Sequence, residues 1–355
     1  MIAREFAEKL LDWQRQHGRH NLPWQVSDPY RVWLSEIMLQ QTQVSSVLVY
    51  YARFIERFPD VRTLAQASVD EVLTLWSGLG YYSRARNLHK AAIMVCEEFG
   101  GTFPEQPAQL IRLPGVGRST AAAISAFAFS RRHAILDGNV KRVLARVFGI
   151  AGWPGEKKIE NSMWQLAESL LPASADDMPA YTQGIMDLGA TLCSRGKPSC
   201  EHCPMRQGCM AYLEARTSEL PTARPKKAIP TRYATLLMAM HDGQVLLERR
   251  PPTGVWGGLL SLPELGATHS AQDWLEQAGE GDILPAWPEI EHVFTHFRLI
   301  ITPLPVSLSM LHTQAQDSAA RWLPLAGAAD AGVPAPVKRM LKHLAESSGK
   351  LPSPL

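Results

Sequence analysis

Apolar residues recur at helical spacing from the N-terminus to about residue 216. Phe6, Leu10, Leu11 and Trp13 open the pattern, and Val32, Trp33, Ile37 and Leu39 continue it. Val69, Val72, Leu73, Leu75 and Trp76 predict a further helix, and Ala121 to Phe129 a short buried one. Val140, Val143, Leu144 and Val147 mark the next, followed by Trp164, Leu166 and Leu170. Turn chemistry separates these segments at Phe58-Pro59-Asp60, Ser77-Gly78-Leu79-Gly80, Phe103-Pro104 and Leu113-Pro114-Gly115-Val116-Gly117. This half is expected to be all-α.

The period then changes. Residues 217–231 carry three prolines and little apolar content, which reads as an interdomain linker. Beyond it, Tyr233 to Met240 and Gln244 to Glu248 flank His241-Asp242-Gly243, a hairpin signal. Trp256 to Leu262, Ile290 to Phe297 and Leu299 to Leu308 are further strand candidates. Pro303 and Pro305 limit the last of these to an edge strand, because proline cannot donate to a ladder. Ser270 to Ala278 and Val337 to Ala345 have helical patterning. The expected organisation is a helical domain (1–216), a linker (217–231), a smaller α+β domain (232–346) and a tail (347–355).

Charge adds little: 36 Lys+Arg against 34 Asp+Glu leaves +2, too small to demand a polyanionic partner unless the basic residues share a face. No stretch reaches the roughly 18 uncharged apolar residues that a spanning helix needs. The N-terminal ten residues mix charged and apolar positions without a signal-peptide core, which argues against membrane and secreted classes. Four of the five cysteines fall between 193 and 209, unlike a secreted disulfide framework.

That cluster is chemically the most informative. Cys193-x6-Cys200-x2-Cys203-x5-Cys209 places four thiols within seventeen residues, with Gly196, Pro198, Pro204 and Gly208 bending the chain. Four cysteine ligands suit a [4Fe–4S] cluster or structural zinc. Zinc ribbons usually space two close pairs far apart, so a single compact loop favours iron–sulfur. Cys96, on a helical stretch, reads as a plain core cysteine.

Two other features carry candidate chemistry. The Leu113 to Thr120 segment joins two helical stretches through Gly115 and Gly117, flanked by Arg112 and Arg118. Free amides at the following helix start would meet an anion there, although a plain helix–helix turn uses the same residues. Glu36 sits among Trp33, Leu34, Ile37, Met38 and Leu39, with Gln40 and Gln43 at i+4 and i+7, which suggests a lined pocket. Asp137 precedes a helix, where the default role is an N-cap that holds the carboxylate ionised. Two such carboxylates can divide the cleavage of a glycosidic bond, one delivering a proton and the other stabilising a cationic sugar.

Together the helical half, the LPGVG hairpin, the LDGNVKR aspartate and the cysteine loop resemble the helix-hairpin-helix DNA glycosylase superfamily. Leu34 to Val44 and Gly78 to Leu88 are similar to its adenine-specific mismatch glycosylases, the MutY family. The resemblance implies an all-α, six-helix barrel with an iron–sulfur subdomain, followed by an α+β MutT/Nudix-like domain. It further implies a base-excision repair enzyme that flips out adenine mispaired with 8-oxoguanine or guanine and removes it by hydrolysis. Glu36 would protonate the base and Asp137 would stabilise the sugar cation. Trp24 and Gln183 would line the adenine pocket, while Gln41 and Tyr81 would wedge the duplex. Thr42, Leu79, Phe294, Thr295 and His296 would contact 8-oxoguanine, with Thr295 standing where the family usually has serine. Gly115, Gly117 and Lys141 would grip the DNA backbone. Cys193, Cys200, Cys203 and Cys209 would hold the cluster.

Endonuclease III, a relative with the same hairpin and cluster, uses a lysine nucleophile where this chain has Ser119, also expected at the DNA surface, so a monofunctional hydrolase is implied. The REx2EE metal helix of Nudix hydrolases does not occur in the sequence, so pyrophosphohydrolase activity is not expected. A monomer in the cytoplasm, nucleoid-associated through double-stranded DNA, completes the expectation.

Overall fold

The structure is a computed structural model that describes residues 3–225, 229–251, 254–266, 268–294, 296–312 and 320–346. The chain packs as two compact units, one of residues 1–67 with 86–226 and the other of 68–85 with 227–355. Its helices run α1 (Ala3–His17), α2 (Pro29–Leu39), α3 (Val44–Arg57), α4 (Val61–Gln66), α5 (Val69–Trp76) and α6 (Ser83–Phe99). They continue with α7 (Pro107–Leu110), α8 (Arg118–Phe129), α9 (Gly138–Val147), α10 (Lys157–Ser169), α11 (Met178–Asp187) and α12 (Met210–Leu213). Among the described residues, no helix is long and apolar enough to cross a membrane.

Local chemistry explains several of these boundaries. Asp28 accepts from the N–H groups of Tyr30 and Arg31, with Pro29 in the first turn, and so starts α2. Ser68 caps α5 through Glu71 N–H in the same way. Helix α8 is built from small residues, and Ala121, Ala122, Ala123 and Ala126 are all buried, so α2 and α11 can approach it closely. Around α8, the faces of α1, α9, α10 and α11 close one core through Phe6, Leu10, Val140, Val143, Met163, Tyr181 and Ile185.

The second unit holds a mixed sheet of β1 (Thr231–His241), β2 (Gln244–Arg249), β3 (Leu260–Ser261), β4 (Gly279–Ile283), β5 (Ile290–Val293), β6 (Arg298–Leu311) and β7 (Ala320–Pro324). Besides α5, its described helices are α13 (Ala271–Ala278), α14 (Leu325–Ala328) and α15 (Ala335–Glu346). Alternation along the strands explains the layers. Leu236, Met238, Val245 and Leu247 face Val337, Met340 and Leu341 of α15. Leu237, Ala239 and Leu246 face Leu275 and Ala278 of α13. The β1–β2 hairpin turns on Asp242 (φ 45°) and Gly243 (φ 73°), both in the left-handed region that two-residue hairpins favour.

Two expectations from the sequence need correction here. The strand containing Pro303 and Pro305 is not an edge strand: β6 pairs with β1 in parallel on one side and with β5 and β4 on the other. Within a strand, the N–H and C=O of one residue point the same way. Both prolines therefore aim their missing donors away from β1, at the gap between β5, whose pairing ends at Ile301, and β4, whose pairing begins at Val306. Their carbonyls still accept there, from Trp287 and Leu284 N–H at 2.9 and 3.0 Å. Second, most of Trp256 to Leu262 is turn rather than strand, because Gly254, Trp256 and Gly258 all take positive φ.

Candidate active site and cysteine pocket

A cavity of about 470 Å³ opens in the first unit between α1, α2 and α11 and the loop joining α1 to α2. Val32, Ser35, Glu36 and Leu39 enter it from α2 at i, i+3, i+4 and i+7 spacing, one face of the helix. Trp24 and Gln183 line the same cavity. Trp24 is buried with its ring edge-on to Tyr51, 5.3 Å between centroids. Helix α2 ends at Leu39, so the sequence-based grouping of Glu36 with Gln40 and Gln43 fails. Gln40 turns to the hairpin, donating to Gly115 O at 3.3 Å and Thr120 Oγ1 at 3.4 Å, and Gln43 stands at the N-cap position of α3 without a side-chain capping bond. The amides at the cavity come instead from Gln14, Gln25 and Gln183.

Glu36 is enclosed by apolar helix, and this loss of hydration raises its carboxyl to about 8, with the charge of Asp137 as the second cause. Asp137 caps α9, accepting from Val140 N–H at 2.8 Å. Burial raises its pKa as well, against the pull of the Val140 and Asn139 N–H groups and the charges of Arg142 and Lys141. The sequence-based expectation that capping keeps this group low is thus outweighed by burial. The two carboxyls still differ in kind. Asp137 has donors and cations that favour its ionised form, whereas burial and a neighbouring negative charge both disfavour an ionised Glu36. Of the two, the surroundings favour ionisation of Asp137 over ionisation of Glu36.

The hairpin places Gly115 (φ 82°) and Gly117, the N-cap residue of α8, at the surface. A Cβ on Gly115 would lie 3.0 Å from Asn87 Cβ, so the left-handed turn and the close approach both call for glycine. Flanking Arg112 and Arg118 form ion pairs with Glu98 and Glu168. Ser119 Oγ accepts from Leu136 N–H at 3.0 Å, which ties the start of α8 to the residue before Asp137. Lys141 pairs with Glu160 at 2.5 Å.

Two non-glycine residues expected at the DNA surface occupy strained backbone: Gln41 at φ 58° and Tyr81 at φ 49°. Both are exposed. Around Tyr81, Gly80 O accepts from Trp76 Nε1 at 3.0 Å and from Arg84 Nη2 at 3.1 Å, which fixes the turn. Thr42 sits beside Gln41, half-buried, whereas Leu79 is buried. Phe294 stacks on Phe297 at 4.5 Å, lies edge-on to His292 and leaves the neighbouring His296 exposed; Thr295 lies outside the described residues.

Helix α11 runs on into a π-helical turn, residues 188–192, that delivers Cys193. Cys200 opens a 3-10 turn, Cys203 closes it and Cys209 precedes α12. All four line one small apolar pocket with Val143, Leu188, Leu192 and Pro198. Burial pushes Cys203 up to about 12, and the thiols of Cys193, Cys209 and Cys200 add to the rise, which marks them as neighbours. Arg146, 2% exposed, also lines the pocket and donates to Cys193 Sγ at 3.4 Å, Ser194 O at 2.7 Å and Leu220 O at 2.8 Å. Arg142 donates to Asn139 Oδ1, Gly189 O and Cys193 O, all within 2.6–2.7 Å. Helix α9 therefore carries Asp137 at its start and secures the cysteine loop further along. Among the described residues, no three His, Cys, Asp or Glu side chains converge as ligands of one metal ion.

Asp187 and Arg19 escaped the sequence reading. Asp187 has no exposed surface, yet it binds Arg19 and, at i−4 on α11, Gln183. The Gln-x3-Asp spacing on an apolar helix was the available signal.

Residues 34–169 match the HhH-GPD superfamily of base excision DNA repair proteins, and residues 234–343 match the NUDIX domain. An adenine DNA glycosylase of Buchnera aphidicola from Acyrthosiphon pisum is 36% identical over 95% of this chain and 97% of its own. The adenine DNA glycosylase of Mus musculus is 34% identical over 95% of this chain and 77% of its own. A thermostable thymine-DNA glycosylase structure superposes with a TM-score of 0.54 and 29% identity, covering 60% of this chain and 97% of that one.

Proposed function

The chain belongs to the adenine DNA glycosylases of base excision repair, and we propose that its substrate is adenine mispaired with 8-oxoguanine or guanine in double-stranded DNA. The observation that carries the mechanism is Glu36 on the wall of a cavity that Trp24 and Gln183 also line, its carboxyl raised to about 8 by burial and by the charge of Asp137. The base must leave the stack to reach such a cavity. There Glu36 donates its proton to adenine, which then departs as a neutral base. Asp137 stabilises the positive charge left on the sugar, and water completes hydrolysis. Trp24 and Gln183 hold the flipped base. Gln41 and Tyr81, in strained exposed turns, enter the duplex, while Thr42, Leu79, Phe294, Thr295 and His296 read the opposite base. Gly115, Gly117, Ser119 and Lys141 meet the DNA backbone, for which Lys141 must leave Glu160.

We assign residues 1–216 to catalysis and residues 232–346 to opposite-base recognition, in a monomer that is cytoplasmic and nucleoid-associated through DNA. The apolar pocket and its neighbouring thiols suit a [4Fe–4S] cluster bound by Cys193, Cys200, Cys203 and Cys209. When bound, such a cluster supplies a rigid crosslink for the loop that presents exposed Arg195 and Lys197 to phosphates.

A duplex with one A·8-oxoguanine pair, incubated with the protein and developed with or without alkali, tests the reaction. We expect cleavage of the adenine strand only after alkali. Cleavage without alkali would make Lys141 a nucleophile and the enzyme a lyase, and no cleavage despite tight binding would leave a mismatch-binding protein. His296→Ala is expected to lower the preference for 8-oxoguanine over guanine by about tenfold, the worth of one good polar contact. Excision from A·G should stay unchanged. An unaltered preference in single-turnover assays would remove His296 from recognition.

A further inference from the structure

Asp187 is a fully buried carboxylate that neither caps a helix nor lines the catalytic cavity, and it collects four donors. Arg19 gives three of them: its backbone N–H to Oδ2 at 2.8 Å, and Nε at 2.7 Å and Nη2 at 2.5 Å to Oδ1. The fourth is Gln183 Nε2, 2.8 Å from Oδ1. Arg19 is itself held by Gln25, whose Nε2 donates to Arg19 O at 2.6 Å. Arg19, Gln25 and Gln183 all line the cavity with Glu36 and Trp24.

An ionised carboxylate only accepts, so the group Gln183 turns to Asp187 has to be its NH2. The Gln183 carbonyl oxygen is then directed to the other side of the amide, the cavity side. We propose that Asp187 is a positioning residue for base selection, which with Arg19 locks the Gln183 amide so that an acceptor faces the flipped base. Such an acceptor matches the exocyclic amine of adenine and opposes the carbonyl that guanine carries at the same position. Without Asp187 the amide is free to rotate by 180° and offer a donor instead, and the discrimination is lost. This inference rests on the adenine-excision reading above.

The test uses the full-length protein and matched duplexes holding adenine or purine, its analogue lacking the amine, opposite 8-oxoguanine. Wild type is expected to excise adenine at least tenfold faster than purine, since one amine contact is at stake. In Asp187→Asn, adenine excision should fall about tenfold while purine excision changes less than threefold, so the ratio collapses. The pH dependence should not move, because Glu36 is untouched. Equal losses on both substrates, or an unchanged ratio, would overturn the proposal. Gln183→Met keeps Asp187 and Arg19 paired, so it serves should Asp187→Asn fail to fold. Collapse of its adenine-to-purine ratio supports the acceptor assignment, and a wild-type ratio overturns it. Absence of adenine excision by the wild type would instead overturn the substrate reading on which the inference stands.

Discussion

Glu36→Gln is expected to lower single-turnover excision of adenine by roughly 10²–10⁴-fold, the usual contribution of a general acid, while mismatch binding stays close to wild type. It should also make the protein more stable. Because burial raises the folded-state pKa of Glu36 to about 8, the folded protein keeps a proton that the unfolded chain releases above pH about 4.5. The stability contribution is therefore fully present below pH 4.5 and is lost as pH rises towards 8. At pH 7 the loss is on the order of 3 kcal/mol, and glutamine, which does not titrate, avoids it. The variant should melt several degrees higher at pH 7–8 and show almost no gain near pH 4.5. In the wild type, excision should fall about tenfold per pH unit above 8 as the proton is lost. Thermal melts that show the variant less stable at pH 8 would mean that Glu36 is ionised in the resting protein, and the general-acid role would fall with it.

Asp137→Asn should behave differently. Asparagine is as good an N-cap as aspartate, so the Val140 contact and the start of α9 survive and the melting temperature should stay within a few degrees. Only the charge is removed. Losing electrostatic stabilisation of a cationic transition state typically costs 10²–10³-fold in rate, and that is the expected fall in single-turnover excision. The charge of Asp137 also raises Glu36. In the variant, residual activity should therefore decline at a lower pH than in the wild type. A near-normal rate would leave Asp137 with a capping role alone.

The two carboxylates proposed for catalysis stood out in the sequence because both sit in locally decisive contexts, one in an apolar helix and one at a helix start. So were α5, α8, α9 and the β1–β2 hairpin, where periodicity and turn chemistry agree. The cavity was not. Its polar wall comes from Gln14, Arg19 and Gln25 on one side and Gln183 on the other, brought together by helix packing that no spacing within one segment encodes. Gln40 and Gln43 misled because a 3.6-residue period was carried past the end of α2 at Leu39. Pro303 and Pro305 misled because the penalty for proline in a strand depends on which edge its missing N–H faces, and that is settled by strand order. Arg142 and Arg146, which hold the cysteine loop, were hidden in an ordinary helical pattern on α9.

The paired prolines of β6 also act as a stop. β5 lies against Arg298 to Ile301, with Ile290 opposite Ile301, and the turn carrying Phe294 and His296 connects the two strands. If β5 crept along β6 by two residues, Ile290 would face Pro303, where the ladder has no donor to offer. A one-residue slip would send every side chain of β5 to the opposite face. The turn between them is thus held to its place along the sheet by residues several positions away. Replacing Pro303 would give that turn an alternative alignment, displaced by about 3.3 Å per residue of slip.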